Sequence, residues 1–305
     1  MVPSAPAANA DRVGAVLSSH SLARDQTAGG AGHTDGNRDV TAQPPPPRSG
    51  CVYLVGAGPG SPDLITVRGL NLLRRADVVV YDALVHRDLL AEARPDAERL
   101  YAGKRGYCVG STLQETINDV LVSRAREGLT VVRLKGGDPC VFGRGGEEAE
   151  YLAERGVPFE IVPGITTAVG ACAAAFIPLT HRDAGQSVAL VTGHFDPDSP
   201  ECTLDWAGLA RMSNVLIYMG LRHIEKICDR LSAAGMPPDT PAAVVANATL
   251  PNQVVVDSPL SQLAADVRAA NVPAPAVIVV GDAVRRRSKL LGLAAAVPAT
   301  QGASA

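Results

Sequence analysis

Val52-Tyr53-Leu54-Val55-Gly56-Ala57-Gly58-Pro59-Gly60-Ser61 is the stretch on which the fold turns: an apolar run, a glycine-rich turn, and then Pro62-Asp63. An apolar strand followed by Gly-x-Gly reads at first as the opening of a dinucleotide-binding unit, where glycines let the backbone approach a pyrophosphate. Three details oppose that reading. Ser61 stands where the fingerprint wants its third glycine. Pro59 removes a backbone donor from the middle of the loop, where a pyrophosphate needs N–H groups. Ser61-Pro62-Asp63 reads instead as the start of a helix that runs through Arg75. Yet Val78-Val79-Val80-Tyr81-Asp82 is an apolar strand ending in an acid, about where a ribose-binding carboxylate sits in such a unit, so a nicotinamide-dependent oxidoreductase stays open as an alternative.

Outward from this stretch, strand-like and helix-like segments alternate, which predicts an α/β fold with mainly parallel sheets. Ser111 or Thr112, with Gln114 and Glu115 three residues on, offers a capping box for a helix to about Glu127, closed by Gly128. Val131–Leu134 is a strand that delivers a second glycine turn, Gly136-Gly137-Asp138-Pro139, followed by a helix over Glu147–Arg155 and a strand over Phe159–Val162. After Pro178-Leu179-Thr180-His181-Arg182-Asp183 the pattern restarts, with strands at Ser187–Thr192, Val215–Met219, Ala242–Ala246, Val254–Val256 and Ala276–Val280 around helices at Leu221–Ala234 and Leu260–Ala270. Two α/β domains facing a cleft are expected, residues 50–180 and 181–287, with ligands bound at the carboxyl ends of the strands.

Residues 1–49, rich in Ala, Gly, Ser, Pro and Asp and closing on Pro44-Pro45-Pro46-Pro47, are expected to be disordered, and 288–305 to form a flexible tail. The chain has 305 residues, 46% of them hydrophobic, enough for a sizeable core. A net charge of −3 gives no basic field for nucleic acid, and no apolar stretch is long enough to span a bilayer. The cysteines are scattered without Cys-x-x-Cys or His partners, which argues against zinc and against a disulfide framework, and for reduced thiols in the cytoplasm.

Chemistry-bearing residues gather at the strand ends and glycine turns. Asp82 reads either as a cap for the following helix or as a catalytic acid. Asp138, before Pro139, is a turn residue by default, Met219 a core filler, and Thr166 and Thr167 helix-start residues. Lys104, Arg105, Arg144, His181 and Arg182 sit in short loops flanked by glycine or by Thr and Asp, positions that suit anion recognition as well as plain solvation. His181 has no second His or Cys at ligand spacing, so no metal is expected there.

Val-Gly-Ala-Gly-Pro-Gly at 55–60, Val-Tyr-Asp at 80–82, Gly-Lys-Arg at 103–105, Arg-Leu-Lys-Gly-Gly-Asp-Pro at 133–139, Phe-Gly-Arg-Gly-Gly-Glu-Glu at 142–148, Val-Pro-Gly-Ile-Thr at 162–166, Pro-Leu-Thr-His-Arg at 178–182, Val-Thr-Gly-His at 191–194 and Tyr-Met-Gly-Leu at 218–221 occur in order. Together they resemble the uroporphyrinogen-III C-methyltransferases of the tetrapyrrole methylase family, over about residues 51–285. The resemblance implies the tetrapyrrole methylase fold and transfer of two methyl groups from S-adenosyl-L-methionine to uroporphyrinogen III, giving precorrin-2 for sirohaem and cobalamin synthesis, without a metal. It further implies that Pro59, Gly136, Gly137, Asp138, Val141, Thr166, Thr167, Met219 and Ala248 line the S-adenosylmethionine site, with Asp82 as general base and Lys104 as proton donor.

Two positions depart from the family pattern: Val141 stands where isoleucine is common, and Ala248 where glycine is expected. Arg105, Arg144, His181 and Arg182 are expected to neutralise the carboxylates of the substrate. The resemblance also implies a homodimer. The region before Val52 is too short and polar for the dehydrogenase and ferrochelatase domain fused to some family members, so those later steps are not expected here. The rivals are a later precorrin methyltransferase, a relative that methylates ribosomal RNA or a protein histidine, the oxidoreductase, and a silent ligand-binding protein.

Overall fold

Alternation along β1 (Val52–Gly56) sets the architecture: Tyr53 and Val55 enter one buried cluster, Val52 and Leu54 another, so the strand is covered on both faces. The coordinates are a computed structural model describing residues 47–103 and 114–296. From β1 the chain continues through α1 (Val67–Leu73), β2 (Val78–Tyr81), α2 (Arg87–Ala91), β3 (Glu98–Tyr101), α3 (Gln114–Arg126), β4 (Val131–Lys135), α4 (Gly145–Glu154), β5 (Phe159–Val162) and α5 (Thr167–Ala174). The first sheet is five-stranded in the order β3-β2-β4-β1-β5, and all of its pairs are parallel. β4 therefore lies between β1 and β2. A dinucleotide-binding half keeps its first two strands adjacent, so this topology removes the structural basis of the oxidoreductase reading.

The second sheet follows as β6 (Val188–Thr192), α6 (Trp206–Ala210), β7 (Asn214–Tyr218), α7 (Ile224–Ala233), β8 (Pro241–Ala246), β9 (Val254–Pro259), α8 (Leu260–Ala269), β10 (Ala276–Gly281) and α9 (Arg286–Ala296). Its order is β6-β7-β10-β8-β9. Only β6 and β7 pair in parallel; the other pairs are antiparallel, which corrects the expectation of mainly parallel sheets. The cause is connection length, because β8 reaches β9 through a short turn and so reverses direction. Both sheets lie in one compact unit, Pro44–Ala305. α5 buries Ala168, Ala171 and Cys172 with Leu216, Val245 and Val277, so a helix that precedes residue 180 packs on the second sheet.

Local chemistry places several boundaries away from their expected positions. Pro62–Leu64 makes only a single 3-10 turn, and α1 begins afterwards, capped by Thr66, whose side chain accepts from the Gly69 amide at 3.1 Å. The expected helix at Leu221 likewise opens with a 3-10 turn over Leu221–His223. The segment after residue 287 is helical to Ala296. Among the described residues no helix is long and apolar enough to cross a membrane, and no cluster of His, Cys, Asp or Glu is placed to hold a metal ion.

Candidate active site

The turns at the carboxyl ends of β1, β4 and β5 converge because glycine leaves room for backbone to meet backbone. A Cβ on Gly56 would stand 2.5 Å from the Gly164 Cα and 2.6 Å from the Gly137 carbonyl oxygen, a separation no side chain tolerates. Gly137 has φ 71°, and its amide donates to the Gly58 carbonyl at 2.7 Å while the Gly58 amide returns a bond of 3.2 Å. The β1 and β4 turns are thus stitched to each other. Asp138 extends the seam to β5, since Oδ1 accepts from the Cys140 amide at 2.9 Å and Oδ2 from the Gly164 amide at 3.1 Å. Its turn-forming role and its place in the site are one and the same.

Asp82, at the end of β2, joins this seam. Its Oδ1 accepts from the Leu84 amide at 2.9 Å and its Oδ2 from the Gly136 amide at 3.1 Å. It caps no helix, because α2 takes His86 as its N-cap. Two backbone donors fix the half-buried carboxylate, and its remaining lone pairs can receive a proton.

The second sheet closes the site from the other side. The Tyr218 hydroxyl, at the end of β7, pairs with Thr166 Oγ1 at 2.6 Å and accepts from the Ala168 amide at 3.0 Å, and its ring lies 4.9 Å from that of Phe142. Burial pushes the phenol above its ordinary range, so it stays protonated. Met219 follows with φ 55° and 49% exposure, which makes it a presented side chain and corrects the default of core filler. Thr249 Oγ1 accepts from the Ser61 amide at 2.8 Å, so the residue that replaces the third glycine is used to tie β1's turn to the loop after β8. In that loop Asn247 and Thr249 take positive φ and Ala248 does not, so alanine is accommodated where glycine was expected.

Pro59, Gly136, Gly137, Asp138, Thr166, Thr167 and Ala248 are thus linked by contacts to the seam that holds Asp82, and Met219 follows Tyr218, whose hydroxyl meets Thr166. Val141 is half-buried beside Phe142, on the loop that closes when the Gly145 amide donates to the Pro139 carbonyl at 2.9 Å. Arg144 is exposed on this same loop with φ 61°, its guanidinium on Glu147 at 2.5 Å. Lys104 and Arg105 lie outside the described residues. His181 and Arg182 stand on the turn that precedes β6. Their turn is held by Asn214, which donates to the carbonyls of Leu179 and Ala184 at 3.2 Å, and Asn214 starts β7 while Met219 follows its end.

Sequence reasoning passed over Tyr218 and Gly164, although both stand inside quoted motifs. It also passed over Arg133, Lys135 and Glu148, three charged side chains buried beneath the Gly136 turn. The only signal for them was a charged pair in an otherwise apolar strand, Arg133 and Lys135 flanking Leu134.

The family model for tetrapyrrole (corrin/porphyrin) methylases matches residues 51–264. The chain belongs to that family. A siroheme synthase from Thiobacillus denitrificans is 50% identical over 247 residues, covering 80% of this chain and 50% of the relative. The chain thus spans about half the length of the curated relatives it matches. Among solved structures, a cobalt precorrin-4 methyltransferase of cobalamin biosynthesis aligns with TM-score 0.69 and 35% identity over 77% of this chain and 96% of that one. A uroporphyrin-III C-methyltransferase from Thermus thermophilus, complexed with S-adenyl homocysteine, aligns with TM-score 0.66 and 39% identity over 77% of this chain and 98% of that one.

Proposed function

We propose that this tetrapyrrole methylase transfers two methyl groups from S-adenosyl-L-methionine to uroporphyrinogen III, forming precorrin-2 for sirohaem or cobalamin. The observation that carries the reading is the bond from the Gly136 amide to Asp82 Oδ2, which joins the acid to the glycine seam. The seam fits an adenosyl donor, because close packing of Gly56, Gly137 and Gly164 brings three strand-end turns together into one rigid backbone edge. When bound, the donor supplies an electrophilic methyl group on a sulfonium. The chain's own contribution is then mainly alignment. The alkylated pyrrole carbon is fully substituted and becomes quaternary, so the one net proton lost per methyl leaves from another position of the macrocycle. Asp82 takes that proton, and any proton that Lys104 delivers elsewhere is matched by the loss of another. Leu84, Phe142 and Met219 expose apolar side chains beside the seam, a surface suited to the face of a large macrocycle.

Arg105 and Arg144 are proposed to meet the substrate's carboxylates, with His181 and Arg182 contributing to the same anionic ligand. Replacing Arg144 with alanine is expected to raise the KM for the tetrapyrrole about tenfold or more and leave that for S-adenosylmethionine within about twofold. Equal weakening of both would remove Arg144 from substrate binding. We further infer a cytoplasmic homodimer. Its support is that edge strands β5 and β6 expose Phe159, Ile161 and Leu190, apolar edges that solitary proteins avoid, and that the described cysteines are all free. Sedimentation at the mass of one chain would refute the dimer.

The deciding experiment incubates the chain anaerobically with uroporphyrinogen III and methyl-labelled S-adenosylmethionine. A dimethylated product is expected. Methylation of a later precorrin alone would assign the chain to that step instead, the reading favoured by its likeness to the precorrin-4 enzyme.

A further inference from the structure

A β-branched residue rarely holds a positive φ, because its Cβ crowds the adjoining backbone. Thr249 holds 67°, in the loop that joins β8 to β9. Asn247, two residues earlier at 47°, is of a type that tolerates this conformation, so Thr249 is the strained member of the pair.

Strain persists where the surrounding contacts over-determine it, and here they do. The Thr249 amide donates to Gln253 Oε1 at 2.8 Å, and Gln253 Nε2 donates at 3.2 Å to the carbonyl of Ala174, the last residue of α5. The half-buried Thr249 side chain accepts from the Ser61 amide at 2.8 Å. One residue is thus held by α5 through its backbone and holds the β1 turn through its hydroxyl. That turn rests on α5 as well, since a Cβ on Gly170 would stand 2.7 Å from the Pro59 Cβ. Across the same joint, a Cβ on Gly60 would come within 2.5 Å of the Ala248 carbonyl oxygen and 2.8 Å of Thr249 Oγ1, so no slack separates the two loops. Pro59 and Ala248, both expected at the donor, flank this joint.

We propose that Thr249 is a positioning residue: its hydroxyl clamps the Pro59 turn to the Ala248 loop, and its strained backbone serves donor binding rather than stability. This rests on the reading that S-adenosylmethionine lies along the seam.

The test compares T249V, T249S and T249G with the native chain, reading S-adenosylhomocysteine affinity by titration, KM for both substrates and the thermal midpoint. T249V keeps shape and strain but removes the acceptor, whereas T249G removes the acceptor and releases the strain. Both are expected to weaken inhibitor binding and to raise the KM for S-adenosylmethionine about tenfold, with the KM for uroporphyrinogen III within about twofold of native. T249S keeps the hydroxyl and is expected to bind as the native chain does. T249G is expected to melt within about 2 °C of the native chain, because release of the left-handed strain offsets the lost hydrogen bond. A merely structural tie would lower midpoint and affinity together in T249G, and that result overturns the proposal. Native affinity in T249G overturns it too, whether or not T249V folds, as does a T249S chain that binds as weakly as T249G. A native chain that binds no inhibitor overturns this inference; one that binds it but transfers no methyl group to uroporphyrinogen III overturns the function proposed above and leaves the clamp standing.

Discussion

Asp82→Asn is expected to slow methyl transfer by about 10²–10⁴-fold, the range over which a positioned general base acts, while S-adenosylhomocysteine still binds within about twofold. The substitution preserves shape. One amide oxygen can keep accepting from the Gly136 or the Leu84 backbone, which now hold Oδ2 and Oδ1 at 3.1 and 2.9 Å, while the other N–H loses its acceptor to the amide NH2, so the S-adenosylhomocysteine affinity serves as the control for the turn. Single-turnover measurement with uroporphyrinogen III checks it, and a variant that retains more than about a tenth of the native rate would take the base role away from Asp82.

Legibility in the sequence followed burial. β1, β2, β8 and β10 are apolar because both of their faces are covered, and such runs are readable one residue at a time; β4 is covered in the same way but carries Arg133 and Lys135. β3 was missed for the opposite reason: Glu98-Arg99-Leu100-Tyr101 is a short edge strand whose order comes from its pairing with β2. α2 and α6, five residues each, are too brief for a helical period to show. Strand direction in the second sheet was equally out of reach, since the same apolar run serves either a parallel or an antiparallel partner.

The site divides along similar lines. Glycine turns and terminal acids announce themselves locally, which is why Asp82, Gly136, Gly137 and Asp138 could be named from the sequence. Roles set by partners distant in the chain could not. Nothing near Tyr218 says that its hydroxyl ends on Thr166 and the Ala168 amide, and nothing near Glu148 separates it from its exposed neighbour Glu147. His181 and Arg182 show the same limit from the other side. Their composition suited anion binding, but the turn that carries them is pinned by Asn214 at the far end of β7 from Met219.

Gly164→Ala should damage both stability and donor binding, and its comparison with Gly146→Ala isolates the reason. A Cβ at Gly164 would overlap the Gly137 carbonyl oxygen and lie 2.7 Å from the Gly56 Cα, both backbone atoms that cannot rotate aside. The β5 turn would have to withdraw, breaking the bond from the Gly164 amide to Asp138 Oδ2 and opening the seam on which donor binding depends. Overpacking of this kind costs about 1–3 kcal/mol or more, and at about 2–4 °C per kcal/mol for a unit of this size the thermal midpoint should fall by about 2–12 °C. Donor affinity should drop about tenfold or more, because the cradle is backbone and has no side chain to compensate. A Cβ on Gly146, within the first turn of α4, meets nothing within 4 Å, so alanine there should leave binding intact and raise stability by about 0.5–1 kcal/mol through helix propensity. Thermal melts and inhibitor titration of the two variants check both halves, and a Gly164→Ala chain that binds S-adenosylhomocysteine as tightly as the native one would mean that the donor does not lie along the converging turns.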